Sequence, residues 1–460
     1  MRERVFVRRS RIEASAAELF EWHARDGAFE RLNPPWERAE VVERTGGLEG
    51  GRIELRIPAG PARLTWIAEH RGYVEGCQFQ DVQVQGPFAR WEHTHLVEPE
   101  GPEAAILTDR IVYALPAGLP GNLLGGPFVE EKLDRVFAYR HRITADDLRA
   151  HAPCRGGRAM KTVVTGANGL VGSSLVPFLR TGGHDVVRLV RKGARRAGDA
   201  LWDPAKGEID AAALEGAEAV VHLAGESIAS GGWDAAKKER IRTSRVVPTR
   251  LLAETLAGLR HQPKVLVSAS AVGYYGDRGE EGLNESAASS TDFLGRVCEE
   301  WEAATAAAEA AGIRVVRLRI GVVLSPEGGA LAKMLPPFRL GAGGRLGTGR
   351  QWMSWIAIDD LLGAIHHAMI HPSLSGAVNA VSPEPATNQQ FTKALGRVLG
   401  RPTLASVPAF AARLAFGEMA DALLLASTRV HPAKLLAAGY AFRHPDLDDA
   451  LRHALGRAAA

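Results

Sequence analysis

Cysteine is scarce in this chain, with three in 460 residues, at positions 77, 154 and 298. They are far apart, odd in number and without metal-ligand spacing, so a disulfide framework is excluded, a reducing compartment suits them and no metal site is expected. Long apolar runs are lacking as well. None reaches the roughly 18 residues that a membrane span requires, and the N-terminus, charged from Arg2 onward, lacks the apolar core of a signal peptide. A cytoplasmic protein with no membrane span is therefore expected. Charge of one sign is nearly balanced away, since 56 Lys and Arg against 53 Asp and Glu leave +3, and so weak a field recruits neither nucleic acid nor an anionic membrane. What is present is globular composition, 46% hydrophobic and 24% charged, over a length that calls for two or three domains.

The most informative stretch is KTVVTGANGLVGSSLVPFLRTGGHDVVRLVRK, residues 161–192. A β-branched run, Thr162 to Thr165, is followed by Gly166, Gly169 and Gly172 and then by an apolar-periodic segment. That is strand, Gly-rich turn and helix, the arrangement that brings a pyrophosphate onto the helix N-terminus. Gly182 and Gly183 end the helix, and Val186 to Val190 reads as the second parallel strand. This strand ends in Arg191 and Lys192 where an NAD-binding chain would place Asp or Glu. Either the pair solvates a strand end, or it receives a 2′-phosphate, which favours NADP over NAD.

Residues 1 to about 150 differ in character. Ala14 to Phe29 is helical in pattern, with Phe20, Trp22 and Phe29 as candidate core residues. Alternating segments follow at Arg52 to Ile57, Arg63 to His70, Phe79 to Gln85, Arg90 to Val97 and Ala105 to Tyr113, and they read as an antiparallel sheet. A last amphipathic helix, about Val129 to Leu148, carries Leu133, Val136 and Phe137 on one side. This order, with the stretch ASAAELFEWHARDGAFERLNPP, resembles the helix-grip domains of the polyketide cyclase and START-like superfamily. The resemblance implies a curved sheet round a long helix and a cavity for an apolar ligand. The aromatics suit core packing first, and no catalytic constellation stands out. A polar segment from His151 to Ala159 then reads as a linker ahead of Met160.

Beyond the opening motif, Ala219 to Leu223 reads as a buried strand running into Ala224, Gly225 and Glu226. A long helix over Trp233 to Leu259 follows, then strands at Lys264 to Ser268 and Arg314 to Val323. HLAGESI, SASAVGYYG, DFLGRVCEEWE, RLRIGVVLSPEGGAL, GRQWMSWIAIDDL and GEMADALLLASTRVHPAKLLAAGYAF together resemble the atypical extended short-chain dehydrogenase/reductase branch that is nucleoside-diphosphate-sugar epimerase-like, over about residues 160 to 457. The expected fold class is thus α/β, a Rossmann-like doubly wound parallel sheet preceded by an α+β helix-grip domain. Expected boundaries are 1–150, a linker at 151–159, and 160–460 with a substrate-side region from about 385.

The resemblance implies NADP contacts from Gly166, Asn168, Gly169, Leu170, Val171, Gly172, Arg191, Leu223, Ala224, Gly225, Arg245, Ser268 and Arg319, and a small-molecule substrate bearing a carbonyl or hydroxyl. Ser270 falls where such enzymes orient the reacting oxygen, though a serine at a strand end also forms turns. Tyr-x-x-x-Lys, which would move the proton, is missing: Phe293 and Val297 stand at those positions. Tyr274 and Tyr275 are the remaining candidate phenols. Gly347, Arg350, Gln351, Trp352, Ser354 and Trp355 suit a substrate cleft, with Trp352 and Trp355 suiting a core equally. Two readings follow, an NADP-dependent oxidoreductase or epimerase, and a catalytically silent NADPH-binding protein whose first domain holds the apolar ligand.

Overall fold

Ser15 opens the first helix, α1 (Ala16–Ala24), through a capping box: the Glu18 N–H donates to Ser15 Oγ at 3.3 Å, and the Glu18 carboxylate accepts the Ser15 N–H at 3.0 Å. Two orphan donors of the helix start are satisfied in this way. The single helix expected from Ala14 to Phe29 is two, because Gly27 takes φ +98° ahead of α2 (Ala28–Leu32). Any side chain at Gly27 would also strike the backbone of Pro177, 2.7 Å from where its Cβ would stand. The computed structural model of the chain describes residues 3–60, 62–116, 118–154, 159–191 and 198–457, with the backbone alone for 118–124.

Seven strands, β1 (Arg4–Ile12), β2 (Glu40–Thr45), β3 (Arg52–Ala59), β4 (Ala62–Val74), β5 (Gln78–Gln85), β6 (Arg90–Pro99) and β7 (Ala105–Ala114), form an antiparallel sheet in the order β1-β7-β6-β5-β4-β3-β2. The long helix α3 (Gly118–His151) packs against it and starts eleven residues before the expected Val129. Leu19, Trp22, Leu107 and Ile143 make one core between helices and sheet, and Trp91, Ile111, Leu133 and Phe137 make another. Beside the second core the sheet and α3 enclose a cavity of about 620 Å³.

The second half is a sheet of eight strands: β8 (Lys161–Thr165), β9 (Asp185–Val190), β10 (Asp199–Asp203), β11 (Glu208–Ile209), β12 (Ala219–His222), β13 (Val265–Ala271), β14 (Arg314–Ile320) and β15 (Gly376–Ala380). Their order is β11-β10-β9-β8-β12-β13-β14-β15, parallel except that β11 runs antiparallel to β10. Central strands such as β12 are buried along their whole length, as parallel strands covered on both faces must be. Strand order reverses between β8 and β12, so the loops leaving their carboxyl ends diverge and open a crevice there. The helices that concern the site are α4 (Leu170–Thr181), α5 (Ala235–Ala257), α6 (Phe293–Ala303), α7 (Ile358–Ile370), α8 (Asn388–Leu399) and α9 (Leu447–Leu455). Among the described residues no helix is long and apolar enough to cross a membrane.

The halves meet through buried charge. Arg31 on α2 donates to both oxygens of Asp147 on α3, at 2.7 and 2.9 Å, and to Asp359 on α7 at 2.8 Å. Arg443 donates to Asp147 at 2.9 Å, and His453 on α9 stands 3.1 Å from Asp359. Both guanidinium groups lie over the ring of Phe178 on α4. Residues 151–154, expected to begin a polar linker, are built into this seam instead. His151 is buried against Phe178, and Cys154 Sγ lies 3.8 Å from His366 Nε2. Of the rest of that segment, residues 155–158 lie outside the described residues.

Candidate functional site

The crevice is floored by three glycines with different constraints. Gly166 takes φ +68°, and a Cβ there would stand 2.7 Å from the Leu223 carbonyl carbon and 2.9 Å from the Ala224 nitrogen. The turn after β8 can therefore lie directly on the turn after β12. At Gly172 a Cβ would meet the Gly166 oxygen at 2.3 Å, so α4 approaches the turn only because that position is bare. Gly169 is the N-cap of α4 and offers no side-chain cap. The N–H groups of Leu170, Val171 and Gly172 are thus the orphan donors of an open helix start. Asn168 and Gly169 are exposed there. Gly166, Gly172, Leu223 and Ala224 thus meet at the start of α4, where the open N–H groups of Leu170, Val171 and Gly172 make a cradle of the kind that can receive a phosphate. Asn168, Gly169 and Gly225 lie in the same two turns. Arg191 is exposed just past the end of β9, and Lys192 lies outside the described residues.

A histidine that sequence reasoning passed over fixes the second turn. His222, the last residue of β12, is buried between Thr165 Oγ1 at 2.7 Å and Thr249 Oγ1 at 2.9 Å. Thr249 donates to the Arg245 carbonyl at 2.7 Å and accepts from the Trp301 indole at 3.0 Å. His222 Nε2 must therefore carry the proton, and Nδ1 accepts from Thr165, which in turn accepts the Leu223 N–H at 3.2 Å. Burial holds His222 neutral and lowers its pKa to about 4. Arg245, expected to contact the cofactor, spends its donors inside the protein, on the Ile241 and Glu226 carbonyls at 2.9 Å each, with its guanidinium over Trp301. It props the loop at Gly225, whose absent Cβ would sit 3.6 Å from the Arg245 side chain.

The residues expected to react are largely committed elsewhere. Ser270, at the end of β13, donates to Glu302 Oε1 at 2.7 Å and is buried. Arg319 makes a two-pronged pair with Glu302, at 2.8 and 2.9 Å, and donates to the Tyr275 hydroxyl at 3.0 Å. Arg319, expected to contact cofactor, thus directs these donors to Glu302 and Tyr275. Tyr275 is wholly buried, donates to Asn379 Oδ1 at 2.7 Å, and has its pKa raised by burial against the lowering influence of Arg319. A free acid at an open site it is not. Ser268 is likewise buried, its hydroxyl 3.5 Å from the Ala269 carbonyl. Tyr274 remains half-buried, its ring 3.4 Å beneath the Arg319 guanidinium. Phe293 packs on Trp233 and Val297 is core, so α6 brings no proton-transfer group to either position. Glu302, the anchor of this network, is the last residue of the stretch DFLGRVCEEWE, but nothing in its spacing announces its partners.

The C-terminal segment clasps the loop after Tyr275. Ser427 Oγ donates to the Gly279 carbonyl at 2.6 Å, its N–H to Asp277 at 3.2 Å, and Thr428 Oγ1 to the Gly276 carbonyl at 2.9 Å. Trp352 faces this cleft, donating to Glu280 at 2.7 Å beneath Arg429. Trp355 is core, with its indole N–H on the Glu384 carbonyl at 3.0 Å.

Known proteins share these parts. Residues 162–381 match the NAD dependent epimerase/dehydratase family, residues 12–138 match polyketide cyclase / dehydrase and lipid transport, and residues 407–454 match a domain of unknown function, DUF1731. An epimerase family protein of Mycobacterium bovis is 44% identical over 294 residues, 64% of this chain and 97% of that relative. A crystal structure of a nucleoside-diphosphate sugar epimerase from Corynebacterium glutamicum is 35% identical and superposes with TM-score 0.79, covering 98% of this chain and 90% of that one. The human epimerase family protein SDR39U1, crystallised with NADPH, is 34% identical with TM-score 0.60, over 64% of this chain and 99% of its own.

Proposed function

The chain belongs to the NAD dependent epimerase/dehydratase family, and from that premise we propose that it binds NADP(H) in the glycine cradle and acts as an oxidoreductase or epimerase on a small molecule bearing a carbonyl or hydroxyl. The observation that carries this reading is the fit of Gly166 against Leu223 and Ala224 at the uncapped start of α4. Arg191 would hold the 2′-phosphate that separates NADP from NAD, and the NADPH in the human relative supports that choice. In this reading residues 1–150 are a helix-grip domain, 151–159 join it to 160–460, and the region from about 385 forms the substrate side.

The cofactor, when bound, supplies or accepts a hydride. The chain's own part is positional: His222 holds the turn at Leu223, Arg245 holds Gly225, and Glu302 with Arg319 holds Ser270 and Tyr275 behind the site. Tyr274, the half-buried phenol, is the group assigned to move the proton. A second reading, silent NADPH binding, is favoured by the commitments of Ser270 and Tyr275 and by Phe293 and Val297. Fluorescence titration of wild type and Arg191→Asp with NADPH and NADH tests the cofactor assignment. NADPH affinity should fall at least about tenfold, or about 1.4 kcal/mol, with NADH nearly unchanged, and equal loss for both overturns it. A carbonyl and sugar-nucleotide screen then separates the two readings, since Tyr274→Phe should abolish any turnover found while leaving NADPH affinity intact.

A further inference from the structure

The first domain carries its own concentration of chemistry in the wall of the cavity. β5 and β6 are antiparallel neighbours with Asp81 opposite His93. Side chains alternate along a strand, so His93 and His95 project to the same, inward face, where both are buried. Three atoms converge there. Asp81 Oδ2 lies 3.2 Å from His95 Nε2 and 3.6 Å from His93 Nδ1, and one ligand atom from each of the three residues lies within 4.8 Å of the other two. The longer separation is beyond a hydrogen bond. Donor atoms each about 2.1 Å from one metal ion stand about 3.0 to 3.4 Å apart for octahedral to tetrahedral angles, close to the spacing seen.

The groups behind these atoms are arranged as they are around metal centres. The far nitrogens of both histidines lie 2.7 Å from one carboxylate oxygen, Asp109 Oδ1, in a hydrogen bond at His93 Nε2 and as a close approach without hydrogen-bond geometry at His95 Nδ1. Asp109 Oδ2 takes His141 Nε2 at 2.7 Å, and His141 Nδ1 lies 2.8 Å from Ser10 Oγ. The second oxygen of Asp81 faces His70 Nε2 at 3.0 Å. A carboxylate on the outer nitrogen fixes the ring orientation of a ligating histidine and raises its basicity. Phe79 stacks on His95 at 4.2 Å and closes one side. Asp81, His93 and His95 all line the 620 Å³ cavity.

We propose that Asp81, His93 and His95 bind a divalent transition-metal ion whose remaining coordination positions open into the cavity. Two imidazoles and one carboxylate suit zinc or iron(II), whereas all-oxygen sets suit calcium or magnesium and thiolate sets suit copper(I). The cavity sets the class of ligand. Its walls include Leu55, Trp66, Trp91 and Phe137, and Arg140 lines it with its guanidinium over Phe137. The occupant is therefore an apolar molecule carrying an anionic oxygen, a carboxylate or enolate, that reaches the metal. This proposal does not rest on the dinucleotide reading.

The experiment uses the full chain, stripped with chelator and titrated with cobalt(II). Expected is stoichiometric binding with visible d–d bands and no thiolate-to-cobalt charge-transfer band, weakened at least about tenfold in Asp81→Asn, His93→Gln and His95→Gln and by about ten- to hundredfold in Asp109→Asn. NADPH titration and circular dichroism report whether each variant is folded, and the wild-type spectrum needs no variant. Octanohydroxamic acid, an apolar oxygen chelator, should shift the d–d bands. Absence of d–d bands overturns the metal site. A thiolate band abolished by Cys154→Ser would do so too, because it would place the ion at the Cys154, His184 and His366 cluster of the domain seam. Cobalt spectra indifferent to the hydroxamate would overturn the open face.

Discussion

His222 shows how one side chain ties cofactor geometry to pH. Its unfolded pKa is near 6.5 and its folded value about 4, so between those limits the unfolded chain takes a proton that the native chain refuses. Stability from the neutral ring is whole above about pH 6.5 and is lost as pH falls toward 4, a swing of about 3 kcal/mol. Denaturant unfolding of wild type and His222→Asn should show a gap that narrows steadily from pH 7 to pH 4, and a gap independent of pH would show that the ring is not held neutral. At this scale residue types were legible in the sequence, but their partners were not. Ser270 and Tyr275 sit where a family pattern predicts reactive groups. What engages them, Glu302 and Asn379, comes from α6 and β15, and no local spacing carries that information.

Among the elements, the turn from β8 into α4 was legible because its chemistry is local: glycines at three-residue intervals, each bare for a backbone neighbour. Gly172→Ala should push α4 off the turn, costing about 1 to 3 kcal/mol of stability and at least about tenfold in NADPH affinity. Gly169→Ala, whose nearest atom would be 3.2 Å away, should cost clearly less in thermal melts and titrations, and equal effects would count against the cradle. Strands β1 and β2 escaped sequence reading for a physical reason. β2 is exposed along its whole length, so burial imposes no alternation, and β1 is rich in arginine. The first helix was read through Gly27 because periodicity does not register a left-handed residue.

For the whole molecule, the seam is the feature that a sequence conceals most completely. Arg31, Asp147, Asp359 and Arg443 are spread across more than 400 residues, yet Asp147 is fully buried between two arginines. Asp147→Ala should destabilise the chain by about 3 to 5 kcal/mol, the cost of stranding buried charge. Residues 160–460 expressed alone are expected to fold and bind NADPH. With Arg443 deprived of Asp147 and Asp359 of Arg31, they should melt below the full chain in calorimetry, and a fragment as stable as the whole would show that the seam contributes nothing. The four charges sum to zero and are closed off from solvent, so counterions have nowhere to gather. Raising the ionic strength shortens the Debye length from about 10 Å at 0.1 M to about 3 Å at 1 M, which loosens attachments made through surface pairs but does not reach this one. The two halves should therefore sediment and tumble as a single particle in concentrated brine as they do in dilute buffer.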